Sequence, residues 1–414
     1  MARGLIANTA GTRLFTVVDD TLYSVSPAGA RTSLGLLHTS RGTVGMKIGL
    51  TQLVVVDGLH GYVYDLLSGV FTEIVSDGWL GSYTVEYLDG YFTFIDPNSQ
   101  TFYISALEDA LTLDALDFAT ANASPDKLVG QVVTNKVLVL LGEVSGEIWQ
   151  DTGAADFPLE RNSGAFLEVG LLARHSVKEL DNSAFWLGRD ERGAGFVYKM
   201  EGFRAVRIST MAVEETIQRA ISEGNDVSQA VAYAYQQGGH SFYCLQVPGL
   251  DTTWCYDAAS QFWHERAELV LGDYKQHRGR FHAYCYGKHL ITGDDDVIYE
   301  YDVDANTNAG DVLARDRVSP HYATPQLDRI AFARFELDCT VGFGKAGQSE
   351  AKASLRYSND GGYSWSDYRT ATLGAVGEKQ ARARWLRLGS ARDRIWQIRV
   401  TDDVPFAIIN VNIQ

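Results

Sequence analysis

No stretch of this chain is long and apolar enough to cross a bilayer as a helix. The longest aliphatic run, Val137 to Leu141, falls far short of the ~20 residues a span needs. Residues 1–15 carry no apolar segment followed by a cleavage site, so export through a membrane is not indicated. Cysteine is scarce. Cys244, Cys255, Cys285 and Cys339 form no C-x-x-C pair and have no His at zinc-ligand spacing, so they read as buried thiols of a protein made in a reducing cytoplasm. Positive charge is short too: 36 Lys and Arg against 52 Asp and Glu leave a net −16. That balance argues against a tight, nonspecific grip on nucleic acid, which needs phosphate neutralisation. An acidic conduit would instead repel phosphate and let a duplex slide, although solubility alone also accounts for the charge. Catalytic signatures are missing. There is no H-E-x-x-H and no G-x-S-x-G elbow, and Gly344-Lys345 has no Gly five residues before it and is followed by Ala346, so it is no phosphate loop. No catalytic residue, no cofactor and no metal ligand set is expected.

What the chain has is β-forming residues and tight turns. Its 414 residues are 45% apolar and 21% charged, with 40 Gly, 21 Tyr and 18 Phe, the profile of a large, ordered, β-rich protein. One phrase recurs: Tyr64-Asp65-Leu66-Leu67-Ser68-Gly69 and Tyr256-Asp257-Ala258-Ala259-Ser260-Gln261, with a looser copy at Ile95-Asp96 to Gln100 and a start of another at Tyr301-Asp302. The Asp can bond its own backbone two residues on, so the unit is strand, Asp-led turn, strand. Seven apolar hairpins are legible, with first strands at Leu14–Val18, Leu53–Val56, Tyr91–Ile95, Val137–Leu141, Ala184–Leu187, Phe242–Val247 and Lys288–Thr292. This spacing suits blades of about four strands, hence an all-β chain with a six- or seven-bladed propeller over residues 1–314.

Few helices are expected. Ser209 or Thr210 can cap Met211–Ser222, whose Val213, Ile217, Ala220 and Ile221 share a face, and Leu107–Phe118 is a shorter candidate. Past Arg315 the Tyr-Asp phrase stops. Alternating segments at Arg329–Leu337, Ala353–Tyr357, Ala381–Leu388 and Ile395–Thr401, with apolar Ala407–Ile413, predict an antiparallel β-sandwich over residues 315–414. The N-terminal hairpin is open to pairing with either part.

Three local patterns bear on chemistry. Ser358, Asp360, Gly362 and Trp365 fit S-x-D-x-G-x-x-W, the Asp-box of sialidases and other propellers, whose role is to brace a turn. A sialidase would also need an Arg-Ile-Pro segment, and none of the three Arg-Ile pairs here precedes Pro. Asp294-Asp295-Asp296 and the Asp302 to Asn308 run offer oxygen ligands, but Thr307 and Leu313 stand where a calcium loop has Gly and Glu, so solvated turns are the better reading. Finally, Lys379, Arg382, Arg384, Arg387, Arg392, Arg394 and Arg399 interleave with Trp385 and Trp396. Of these, Arg382, Arg384, Arg387 and Trp396 are candidates for a subunit interface, with a plain solvated face as the alternative.

Longer segments resemble one family. Asp181-Asn182-Ser183-Ala184-Phe185-Trp186-Leu187-Gly188-Arg189-Asp190, Asp114 to Ala119, Thr152 to Arg161 and Trp385 to Arg394 are similar, in order, to the packaged-DNA stabilisation family of short-tailed phages. The resemblance implies a tail hub, or nozzle: a virion tail protein assembled in the host bacterial cytoplasm. It implies a homohexameric ring below the portal and its adaptor, docking tailspikes or fibres, with a tail needle or plug as a further partner. Genomic double-stranded DNA would pass through the lumen without sequence-specific binding. Family members usually carry a further segment before the first hairpin, whereas this chain begins almost at it. The family supplies no catalytic residues. A propeller glycan-binding protein or glycosidase is the alternative, and it would need clustered carboxylates at the propeller mouth.

Overall fold

A computed structural model describes residues 1–154, 157–343 and 350–414. Gly344 and Lys345, and Ala155 and Asp156 within the family-like segment Thr152 to Arg161, lie outside the described residues. The chain divides into two compact units: Met1–Ala267 with Tyr274–Tyr301, and Asp302–Gln414 with Glu268–Asp273.

The first unit is a succession of antiparallel sheets. Its inner strands are Ala2–Ala7, Gly45–Ile48, Val85–Leu88, Leu128–Thr134, Lys178–Leu180, Val231–Gln237 and Phe281–Cys285. Each contacts the next, and Phe281–Cys285 returns to Ala2–Ala7, so among the described residues seven sheets close on themselves. The N-terminal hairpin therefore belongs to this unit, with Ala2–Ala7 paired to Leu14–Val18 in the first sheet. A sheet alone cannot hide both faces. Separate apolar clusters fill the spaces between successive sheets: Phe15, Val55 and Tyr62 between the first and second, Val54, Phe92 and Tyr103 between the second and third, Leu5, Leu14 and Cys285 between the seventh and first. Successive residues of one strand thus serve opposite seams, as Val54 and Val55 do, which is the period-two geometry of a strand buried on both faces.

The helix Met211–Ser222 forms as expected and lays Val213, Ile217 and Ala220 into the cluster between the fifth and sixth sheets; Thr210 holds the N-cap position in extended conformation but its side chain makes no capping bond. Leu107–Phe118 is not a helix. Asp109 accepts from the Leu111 amide at 3.1 Å and from the Thr112 hydroxyl at 2.7 Å, and Asp114 accepts from the Leu116 amide at 2.9 Å. Such local side-chain bonds offer the backbone turns in place of helix.

The second unit packs two antiparallel sheets face to face. One contains Arg315–Val318, Asp393–Val400, Glu350–Ser358 and Arg369–Ala375, and the other Ala383–Leu386, Arg334–Cys339 and Ile408–Ile413. Leu355, Trp396 and Ile398 of the first meet Phe335, Leu337 and Trp385 of the second in one core, the arrangement of a β-sandwich.

Candidate functional site

Asp65 and Asp257 end the third strand of their sheets, and both do the same work. Asp65 accepts from the amides of Leu67 (3.0 Å) and Ser68 (2.6 Å) and from the Ser68 hydroxyl, while Asp257 accepts from the Ala259 amide (3.0 Å) and the Ser260 hydroxyl (2.7 Å). Asp96 makes similar bonds to Asn98 and Ser99, but between the second and third strands. These carboxylates are held by turn donors, so the repeat is a device for shaping hairpins. Asp294 and Asp295 are engaged likewise, by Arg280 and by the Val297 amide and Tyr299 hydroxyl.

The inner strands of the propeller enclose only a small central space. Gln131, Arg174, His175, Lys178 and Glu86 line a space of about 120 Å³ among the inner strands. A space of that size admits water and small ions but no nucleic-acid duplex. Arg174 lies 3.9 Å from the Tyr83 ring, and Lys47 is ion-paired to Glu86. His175 is half-buried at this centre, and desolvation, with Lys178 and Arg174 nearby, pulls its imidazole down to about 3. The centre of the unit is narrow and lined by charged and polar side chains.

In the Asp-box turn, Ser358 donates to Asp360 Oδ1 at 2.7 Å and accepts from the Gly362 amide at 2.8 Å. Asp360 also accepts from the Ser364 amide (2.9 Å) and hydroxyl (2.5 Å). The Ser364 hydroxyl, then its amide, are the main reasons the Asp360 carboxyl falls to about 2. Gly362 sits at φ +98°, where a side chain would be strained, and half-buried Trp365 carries Arg356 4.6 Å from its ring. The motif closes the hairpin from Glu350–Ser358 into Arg369–Ala375.

The basic segment does not form one face. Arg382 and Arg384 converge on the buried Glu336, at 2.9 and 3.0 Å, with Arg334 at 3.6 Å. Their outer surfaces remain open, with side chains 47% and 56% exposed. Arg387 is exposed. Trp396, in contrast, is only 2% exposed and lies in the sandwich core against Phe335 and Phe332, so its ring serves packing and cannot contact another subunit. Arg394 is buried as well: it donates to Asn359 Oδ1 and the Leu388 carbonyl and lies 3.9 Å from the Tyr357 ring. Arg399 is bidentate to Asp316.

One constellation escaped sequence reasoning. His38, His60 and Glu73 are separated in the chain, yet their ligand atoms lie within 4.8 Å of one another. Among the described residues no other such group of three converges. Its signal is legible only once strand register is known, because Glu73 stands opposite Tyr62, two residues past His60.

Residues 1–307 match the family model described as Bacteriophage P22 Gp10, beta-propeller, and residues 320–414 match Bacteriophage P22 Gp10, beta-sandwich. No curated protein sequence matches. Among solved structures, the chain is similar to the N-terminal domain of Nup159 (10% identity, 72% of this chain and 86% of that one, TM-score 0.44). It is similar also to PorZ, a surface component of the type-IX secretion system of Porphyromonas gingivalis (12%, 90% and 45%, 0.41), and to Kluyveromyces lactis Hsv2 (9%, 64% and 84%, 0.38). With both units matched in order by its two models, the chain belongs to the bacteriophage P22 Gp10 family of phage tail structural proteins.

Proposed function

We propose that this chain is the hub, or nozzle, subunit of a short phage tail and works as a closed homohexameric ring that continues the DNA path below the portal and adaptor. The observation that carries the reading is the two-unit family match, and the narrow propeller centre adds to it. DNA cannot thread a space of about 120 Å³, so a lumen must be built between copies. Such a ring uses head-to-tail contacts that close by rotation. The Arg382, Arg384 and Arg387 ridge is our candidate for one side, and acidic turns such as Asp294–Asp296 for the other. A net charge of −16 favours a wall that repels the phosphate backbone, so genome exit depends little on base sequence. Tailspikes or fibres, and a needle or plug, would dock on the same ring, in the virion tail assembled in the host cytoplasm.

The alternative, a glycan-binding propeller or glycosidase, fits less well. A cleft of about 730 Å³ between the fourth and fifth sheets is lined by Glu168, Asp190, Glu191, Arg192 and Arg204, but Asp190 is occupied by the Arg192 and Gly193 amides. Cryo-microscopy of the tail tests the proposal. A six-fold ring of this chain around the DNA is expected, and one or two copies per virion would refute the ring.

A further inference from the structure

We propose that His38, His60 and Glu73 bind a zinc-class divalent metal ion that clamps the first sheet of the propeller to the second. His38 lies in the connection between Arg31–Leu36 of the first sheet and Gly45–Ile48 of the second, His60 precedes Gly61–Asp65, and Glu73 ends Phe71–Glu73. His60 Nδ1 is 2.8 Å from Glu73 Oε1, His38 Nε2 is 3.1 Å from Oε2, and the two imidazole centroids are 4.5 Å apart. Bonds of ~2.0–2.2 Å in a tetrahedral site place donor atoms roughly 3.3 Å from each other, so side-chain adjustments of under an ångström or two seat an ion. Two imidazoles and one carboxylate select zinc, nickel or copper over magnesium and calcium, and three protein ligands leave the fourth position to water.

The surroundings hold this geometry. The Tyr62 hydroxyl accepts from the His38 amide at 2.7 Å, and Asp57 accepts from the His60 amide at 2.9 Å and from the Thr39 hydroxyl at 2.6 Å. Buried Arg3 ties down the rest of the connection, donating to the carbonyls of Thr39, Arg41 and Gly42 at 2.5, 2.9 and 2.7 Å. Both histidines thus project from backbone fixed by hydrogen bonds, while the partly exposed rings leave an entry path for the ion.

The test is calorimetric titration of zinc chloride into the full chain and into His38→Ala, Glu73→Gln and His282→Ala variants, with cobalt(II) absorption as a report on coordination. One ion per wild-type chain is expected, with a higher thermal midpoint in zinc. Affinity should fall by about tenfold or more in His38→Ala and Glu73→Gln. It should hold in His282→Ala, whose ring meets His289 elsewhere in the propeller. His38 is the most exposed of the three, and its replacement leaves the core untouched; circular dichroism checks the fold of each variant. If wild type binds no zinc up to millimolar concentration, or if His38→Ala and Glu73→Gln bind as wild type does, the three side chains are only a hydrogen-bonded bridge and the proposal is overturned.

Discussion

Arg382 donates to Glu336 Oε1 at 2.9 Å, and this contact ties the most exposed basic ridge of the sandwich to a carboxylate beneath it. Charge at the ridge therefore acts inside the subunit as well as at its surface. Arg382→Glu with Arg384→Glu sets three acids together and should lower the thermal midpoint by several degrees. Arg387→Glu, which disturbs no ion pair of Glu336, should keep the midpoint and weaken tail assembly. Calorimetry and a tail-assembly assay on both variants separate the effects, and normal assembly of Arg387→Glu would make the ridge a solvated face.

Trp396→Ala should act on folding. Removing a ring buried in the sandwich core costs about 3–5 kcal/mol, because the cavity collapses only in part. Denaturant unfolding checks the size, and Trp396→Phe should recover much of it.

Gly69 and Gln261 occupy the same place in the repeated Asp turn, at φ +74° and +61°. Gly69→Ala should destabilise by about 1–2 kcal/mol, the usual left-handed penalty for an L side chain. Gln261→Gly should stabilise by less, since glycine also gains freedom in the unfolded chain. Equal and opposite shifts in urea midpoint would contradict that entropic argument.

Asp360 has a folded value of about 2 against 3.8 unfolded. A depressed carboxylate contributes stability that is fully present above the unfolded value and is lost as pH falls through the folded one. The difference in thermal midpoint between wild type and Asp360→Asn should thus be largest above about pH 5 and shrink between about pH 4 and 2. No hydrolase activity should be gained or lost with the substitution.

His175, drawn from 6.5 to about 3, gives a second acid limb. The unfolded chain takes up a proton below 6.5 that the folded chain refuses until about 3, so stability falls as pH drops through that window. In His175→Gln the decline from pH 6.5 to 4 should be shallower, as followed by scanning calorimetry.

The central strands were readable because they are apolar on both faces: Gln52–Val56 and Val137–Gly142 are buried throughout. The outer ones were not. Arg31–Leu36 is half-exposed and polar, and Phe71–Glu73 is three residues long, so neither leaves an apolar period. Strand alternation placed Arg382 and Arg384 together on an open face, yet it could not foresee that Arg394 is buried against aromatic rings, because a guanidinium stacked on Tyr357 leaves no local sequence mark. The His38, His60 and Glu73 group was equally hidden, since it depends on register and on a crossover between sheets.

The first and seventh sheets meet through packing, through backbone bonds from the Ala2 amide to the Gly293 carbonyl at 3.3 Å and from the Tyr286 amide to the Gly11 carbonyl at 2.7 Å, and through the Tyr286 hydroxyl on the Val25 carbonyl and the terminal ammonium on Asp296. Among the described residues no strand is shared between the two ends of the ring, for each of these sheets is built from consecutive strands. The closure is held by these non-covalent contacts alone, with no run of chain crossing it. A pull on the N-terminal strand peels that seam first, at lower force than any seam bridged by the running chain. The unit then opens like a fan while its remaining sheets stay folded. Mechanically, the molecule has a built-in parting line, and single-molecule stretching should register it as an early, small extension before the main unfolding steps.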